Sequence, residues 1–235
     1  MATADGRLAL VVRGGWEGHA PVAATDLFIP HLRAHGYHVE IADSPAPYAD
    51  AGLMRRVDLV VQCYTQGTIE RAELDGLLHA VQAGTGLAGW HGGIADAFRA
   101  ASDYLHLVGG QFATHPRKHP SQWVAGSAAN AFVPHRINLL PCAREHPITA
   151  GIDDFDLVTE QYWVLTDAYN DVLATTTHPA RAWDPWQREV TCPALWTRQW
   201  GAGRIFVATP GHSLDVLEHP AVRTIVERGM LWASR

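Results

Sequence analysis

The sequence predicts an α/β protein built on a doubly wound, mostly parallel sheet, with an antiparallel β excursion over about residues 111–140. Three observations lead there. Short apolar runs such as Leu8–Val12 and Val57–Cys63 read as strands buried on both faces. Helix-period segments alternate with them up to about Leu107, and glycines punctuate the joints. From Gly109 the pattern changes to polar–apolar alternation, the mark of strands with one wet face.

Taken in order, Leu8–Val12 is a first strand that ends at Arg13-Gly14-Gly15. Thr25–His35 has helical spacing and stops at Gly36, a usual residue just past a helix end, with Pro30 kinking it or delaying its start. Tyr37–Ile41 is a second strand, Asp43–Asp50 a Pro-rich loop and Val57–Cys63 a third strand. Ile69–Ala83 is a helix whose Glu70, Glu73 and Asp75 suit the positive end of its dipole. Gly86–Trp90 is a fourth strand, followed by a sharp turn at His91-Gly92-Gly93 and a helix entered through Asp96 that runs to about Leu107. Gln111–Ala125 and Phe132–Leu140 are two strands of the excursion, which is suited to a contact between copies of the chain. His146–Ile152 is loop, and Asp156–Val164 turns or extends. Asp171–Ala174, Ala194–Gln199 and Arg204–Ala208 are strands, the last two joined by a Gly201-Ala202-Gly203 hairpin turn. Pro220–Ala233 closes the chain as an amphipathic helix.

Composition narrows the function classes. The 235 residues are 47% hydrophobic and 18% charged, enough for one sizeable core in a single domain. A net charge of −6 argues against nucleic acid or an anionic membrane as partner. No apolar run approaches a membrane span, and MATADGR lacks the basic and apolar regions of a signal peptide. Cys63, Cys142 and Cys192 are far apart and odd in number, so a reducing, cytoplasmic setting without disulfides is expected. Nine Trp and 14 His suit sugar stacking and proton or metal chemistry, although most Trp are expected in the core.

Polar residues recur just after expected strand ends. Trp16 and His19 follow the first strand, His91 follows the fourth, and His212 follows Arg204–Ala208. In a parallel sheet these ends share the edge where ligands sit. The strand–turn–helix geometry at His91 is that of a nucleophile elbow with a histidine at its apex, so the site is read as one that binds, polarises or moves a proton. Glu160 beside Tyr162 can join as acid, base or ligand according to its burial. His91 and Glu160 are the catalytic candidates; with His19 and His212 they are expected to line one cleft, with groups that titrate near neutral pH, and to reach a common ligand or metal. Trp16, Trp90 or Tyr162 would stack on a sugar ring. His19, His91, Glu160 and His212 also supply ligand types that Zn²⁺ accepts, without a spacing motif to specify them. His115 and His119 are four apart, but Pro116 and Pro120 forbid the helix that a paired-histidine zinc site needs. Gly84-Thr85-Gly86-Leu87-Ala88-Gly89 matches a dinucleotide fingerprint by letter, yet it closes a helix and opens a strand and is rejected.

The segments GWHGGIADAFR, VGGQFATHP, HPITAGIDDFDLVTEQYW, DVLATT and PALWTRQWGAGRIFVATPGHS, with the closing RGMLWAS, resemble the ThuA-like family of trehalose-utilisation proteins. The resemblance implies a flavodoxin-like sheet of the class I glutamine-amidotransferase kind without its nucleophile, since His91 stands where the cysteine of that superfold sits. It implies a role in disaccharide or glycoside catabolism through 3-keto sugars made with a partner sugar dehydrogenase. It carries site positions, not roles, to His19, His91, Gln111, His115, Glu160 and His212. Two readings follow. One is an enzyme working on a sugar or keto-glycoside by acid–base chemistry, with Zn²⁺ or Mn²⁺ as a cofactor that would polarise a carbonyl. The other is a non-catalytic sugar-binding or regulatory module.

Overall fold

A computed structural model describes residues 6–235; Met1–Asp5, part of the stretch searched for a leader, lie outside the described residues. Strand β1 (Arg7–Gly15) leads through a short turn into helices α1 (Pro21–Asp26) and α2 (Ile29–Ala34). These replace the single helix expected there. Pro30, in the first turn of α2, has no N–H to continue the ladder from α1, so the helix restarts. β2 (Tyr37–Ala42) and α3 (Ala51–Met54) follow, then β3 (Leu59–Thr65), two residues later than the sequence places it. α4 (Arg71–Gln82) starts where Glu73 accepts the N–H of Glu70 at 2.8 Å. β4 (Gly86–Trp90) has the expected bounds.

After β4 the long helix expected to reach Leu107 is two pieces, α5 (Gly92–Ala95) and α6 (Ser102–Val108). Between them the chain is diverted: Gln66 N–H donates to Asp96 O and Phe98 N–H donates to Gln66 O, with Phe98 at φ 45°. Then come β5 (Gly110–Thr114), β6 (Phe132–Leu139), β7 (Phe155–Glu160), β8 (Trp163–Thr166), β9 (Asp171–His178), β10 (Val190–Trp200), β11 (Gly203–Ala208), α7 (Leu214–Leu217) and α8 (Pro220–Ala233).

The main sheet has the order β2-β1-β3-β4-β11-β10-β9-β6-β7. The first five strands pair in parallel and the last four antiparallel. β4 sits inside it with every residue buried, as expected of the strand that carries the elbow. One apolar layer takes Ala9, Val11, Val61, Ala88 and Phe206 with α2 and α8; the other takes Leu10, Val12, Val60, Leu87 and Val207 with α4 and α6. Alternate side chains of each strand thus enter opposite layers, which is why these strands read as continuous apolar runs.

The 111–140 region is antiparallel, but its strands do not pair with each other. β5 pairs with β8, and β6 pairs with β7 and with the end of β9. Pro116 and Pro120 stop the strand expected to continue to Ala125. β6 meets β9 only at Asn138 and Leu139. The other end of the β6–β7 hairpin, where Phe132 pairs with Glu160, is therefore free to fold back over the carboxyl edge of the parallel strands.

Candidate functional site

That fold-back assembles the site. β7 lies five strands from β4, about 24 Å away in a flat sheet at ~4.8 Å per strand. Yet His91 Nε2 is 3.2 Å from Glu160 Oε2. Phe132, opposite Glu160 in the hairpin, packs on His212 with ring centroids 5.0 Å apart.

His91 adopts φ 50°, ψ −140°, a conformation rare for a non-glycine residue and of order 1–3 kcal/mol uphill. Two bonds hold it there: its N–H donates to Ala208 O at 2.7 Å, and Nδ1 donates to Thr209 O at 2.7 Å. The second bond fixes the tautomer and leaves the Nε2 lone pair aimed at Glu160. The two glycines after it are needed for packing. A Cβ on Gly92 would lie 2.6 Å from His19 Cε1, and one on Gly93 2.7 Å from the Cα of Cys63. His19, after β1, places Nδ1 at 2.9 Å from Thr65 Oγ1, which leaves Nε2 for the site. The rings of His19, His91 and His212 sit edge to face at 4.6–5.5 Å.

Glu160 is the hub. Oε2 meets both His91 Nε2 and His212 Nδ1 at 3.2 Å, and Oε1 is 3.4 Å from His115 Nε2. The His212 approach is close but misdirected, so His212 Nδ1 is buried without a hydrogen bond. Burial pushes the Glu160 carboxyl up; contacts with His212 and His91 and the field of His115 outweigh it, and the net direction is down. Burial pushes His19 down to about 3, and it lowers His91 and His115 against the pull of Glu160. Burial thus favours the neutral form of His19, His91 and His115 around a carboxyl held toward its ionised form. For His19 the expectation of a group titrating near neutral pH is corrected, because desolvation moves it down to about 3.

Neutral imidazole and ionised carboxylate are the forms that bind a metal. One ligand atom from each of His19, His91, Glu160 and His212 lies within 4.8 Å of the others. Four ligands each about 2.0 Å from one ion in a tetrahedron sit about 3.3 Å apart, so the widest pair needs to close by up to about 1.5 Å. With the unbonded His212 Nδ1 and the tautomer of His91, these residues fit a divalent cation.

Above this floor is a cleft of 180 Å³, with Trp16, Phe112, Asp96, Arg99 and Tyr162 in its walls. Larger hollows lie beside Arg198 and Trp200 (420 Å³) and between α3 and α4 (300 Å³), and the histidine cluster is in neither. Trp16 is 48% exposed and offers an apolar face. Trp90 does not: strand alternation turns it into the core against Phe28 at 4.9 Å, so its expected stacking role is corrected. Tyr162 stacks on His91 at 4.1 Å, which engages its ring face. Gln111 is also displaced from the expected site. Phe112 faces the cleft, so Gln111 faces away, toward Leu105 and Thr166. His91 itself is 1% exposed, sealed behind Glu160 and not solvent-reachable as its glycine turn implies. His119 bonds Ser121 Oγ and stays apart from His115. Asp96, Arg99, Phe112, Thr65 and Thr209 belong to the site without being expected there. Asp96 and Arg99 stand in the GWHGGIADAFR segment, where the sequence reads only as helix.

A family model described as ThuA, trehalose utilisation, matches residues 8–233. The chain belongs to the ThuA family. Membership links this ThuA chain to a family described by trehalose utilisation. A ThuA-like protein of Bacteroides uniformis superposes with a TM-score of 0.72 at 16% identity, covering 99% of this chain and 94% of that one. One from Parabacteroides merdae gives 0.69 at 17%, covering 97% and 89%. A cytoplasmic protein of Salmonella typhimurium LT2 gives 0.63 at 13%, covering 97% and 100%. At these identities the likeness is one of fold. No curated protein is significantly similar to this chain in sequence.

Two predictions concern groups around the site. Cys63 is buried, and burial pushes its thiol up to about 12, so it is not a thiolate at neutral pH. Cys63→Ala with Cys142→Ser and Cys192→Ala is expected to leave activity within a few-fold. Loss of turnover in a folded triple variant, judged by circular dichroism, would assign a thiol nucleophile. His178, whose Nε2 donates to Tyr162 O at 3.1 Å, is pushed by burial from 6.5 down to about 4. Between those values the unfolded chain takes up a proton that the folded one refuses. This contribution is therefore complete above about pH 6.5 and is lost as pH falls toward about 4. A lower Tm at pH 5 than at pH 7 is expected, with a shallower slope in His178→Asn; an unchanged slope would contradict it.

Proposed function

We propose that the protein is a carbohydrate-catabolism enzyme that acts on a disaccharide or glycoside, or on its 3-keto derivative, by acid–base chemistry at Glu160 and His91. The observation that carries this reading is the ring of four histidines, His19, His91, His115 and His212, around the one Glu160 carboxylate beneath the cleft. Such chemistry needs only a modest base, because a ketone acidifies the adjacent C–H. Glu160, next to His115, takes that proton; His91, whose Nε2 lone pair faces Oε2, accepts a hydrogen bond from the carboxyl once it is protonated. Trp16 lies along the apolar face of the sugar. His19, His91, Glu160 and His212 would hold Zn²⁺ or Mn²⁺, which supplies polarisation of the carbonyl oxygen.

The sugar is the small-molecule partner, and a sugar dehydrogenase would supply its keto form. A cytoplasmic location accords with two Salmonella neighbours described as cytoplasmic and with the lack of a helix long and apolar enough to cross a membrane among the described residues.

The test is incubation of the purified protein with 3-keto-trehalose, 3-keto-glucosides and the parent sugars, after chelator treatment and with added Zn²⁺ or Mn²⁺, followed by NMR. Turnover of one of these is the expected result. Binding without turnover would establish the sugar-binding module instead.

A further inference from the structure

Two polar groups in the cleft wall are left underused by the protein. The Asp96 carboxylate is 4% exposed, and its side-chain partner is Arg99, through Nε–Oδ1 at 2.5 Å and Nη2–Oδ2 at 2.7 Å. A carboxylate has about four acceptor sites, so about two remain. Tyr162 is 2% exposed, and its hydroxyl has no hydrogen-bond partner among the described residues, although it is not sealed from the cleft. Buried phenols normally find one. Its ring is clamped between His91 at 4.1 Å and Phe112 at 4.5 Å, and Tyr162 O receives His178 Nε2, so the hydroxyl cannot swing to another acceptor.

We propose that Asp96, Arg99 and Tyr162 form a hydroxyl-reading wall that selects a neutral, unphosphorylated sugar ring lying against Trp16. The ligand must donate to Asp96, accept from Tyr162 and show an apolar face to Trp16, a combination that a ring with neighbouring hydroxyls meets. Arg99 is the one Lys or Arg in the cleft lining and is already held bidentately by Asp96, so no free cation there receives a phosphate. The 180 Å³ volume falls below the usual ligand range of ~300–1,000 Å³ and suits one ring, which places the second unit of a disaccharide outside.

This inference rests on the sugar reading above, but its test reads binding and not turnover. Calorimetry would follow methyl glucoside, 3-keto-glucoside and glucose 6-phosphate binding to the full chain and to Asp96→Asn, Tyr162→Phe and Trp16→Ala. At least one neutral ring should bind more tightly than glucose 6-phosphate. Asp96→Asn and Tyr162→Phe should each weaken it tenfold or more, with Tyr162→Phe keeping its stack and the wild-type Tm. Tighter binding of the phosphorylated sugar, or unchanged affinity in both wall variants, would overturn the proposal, as would failure of every neutral ring to bind. Normal binding with no turnover would fault the enzymatic reading alone, whereas turnover of a neutral sugar with indifferent wall variants would fault this one alone.

Discussion

His91→Asn is expected to lower turnover about 10²-fold or more in a protein that still folds. Asparagine is the informative replacement because it tolerates positive φ better than alanine does, so the φ of 50° at this turn is less of a confounder. The substitution removes the ring that occupies Glu160 Oε2 and donates to Thr209 O. It leaves Glu160 without the imidazole that accepts its hydrogen bond once protonated, and the cluster without one of its four ligand groups. Steady-state kinetics with thermal unfolding checks this. A folded variant that turns over normally would remove His91 from the machinery and favour the sugar-binding module.

The second large effect separates two adjacent glycines. Gly93→Ala would place a Cβ 2.7 Å from the Cα of Cys63 on β3, which is backbone and cannot yield without shifting a central strand. A loss of roughly 3 kcal/mol or more is expected, a fall in Tm of about 6–12 °C for a chain of this size. Gly92→Ala instead meets the His19 ring, at 2.6 Å from Cε1. The ring can rotate away, so the fold survives with a smaller change in Tm while His19 leaves the cluster. Loss of about 10–100-fold in Zn²⁺ or Mn²⁺ affinity is the expected readout, measured by titration after chelator treatment. Equal Tm losses with unchanged metal affinity would show that the His-Gly-Gly turn serves packing alone.

The parallel half of this protein is legible in its residues alone. β1, β3, β4 and β11 are buried on both faces, so each reads as an unbroken apolar run, and local glycines mark where several of them begin or end. Gly86–Trp90 and Pro220–Ala233 are legible to the residue because Gly84, Pro220 and strong periodicity bound them. The polar residues after those strands are legible for the same reason: strand ends in a parallel sheet must share an edge. His19, His91 and His212 follow from that alone. The antiparallel half and the closure of the site depend on contacts between residues far apart in the chain, which the folded molecule alone reveals. No local signal states that β5 pairs with β8, setting Gly110 opposite Thr166, or that β6 holds β9 at two residues and is free to fold back. That fold-back brings Glu160 across five strand positions to His91, turns His115 onto Glu160 and seals His91 from solvent. The chemical state of the site follows from this burial: desolvation lowers His19, His91 and His115 toward their neutral forms, while the Glu160 carboxyl is held toward its charged form. A sequence shows which groups are present, but their protonation depends on the water that the assembled fold removes.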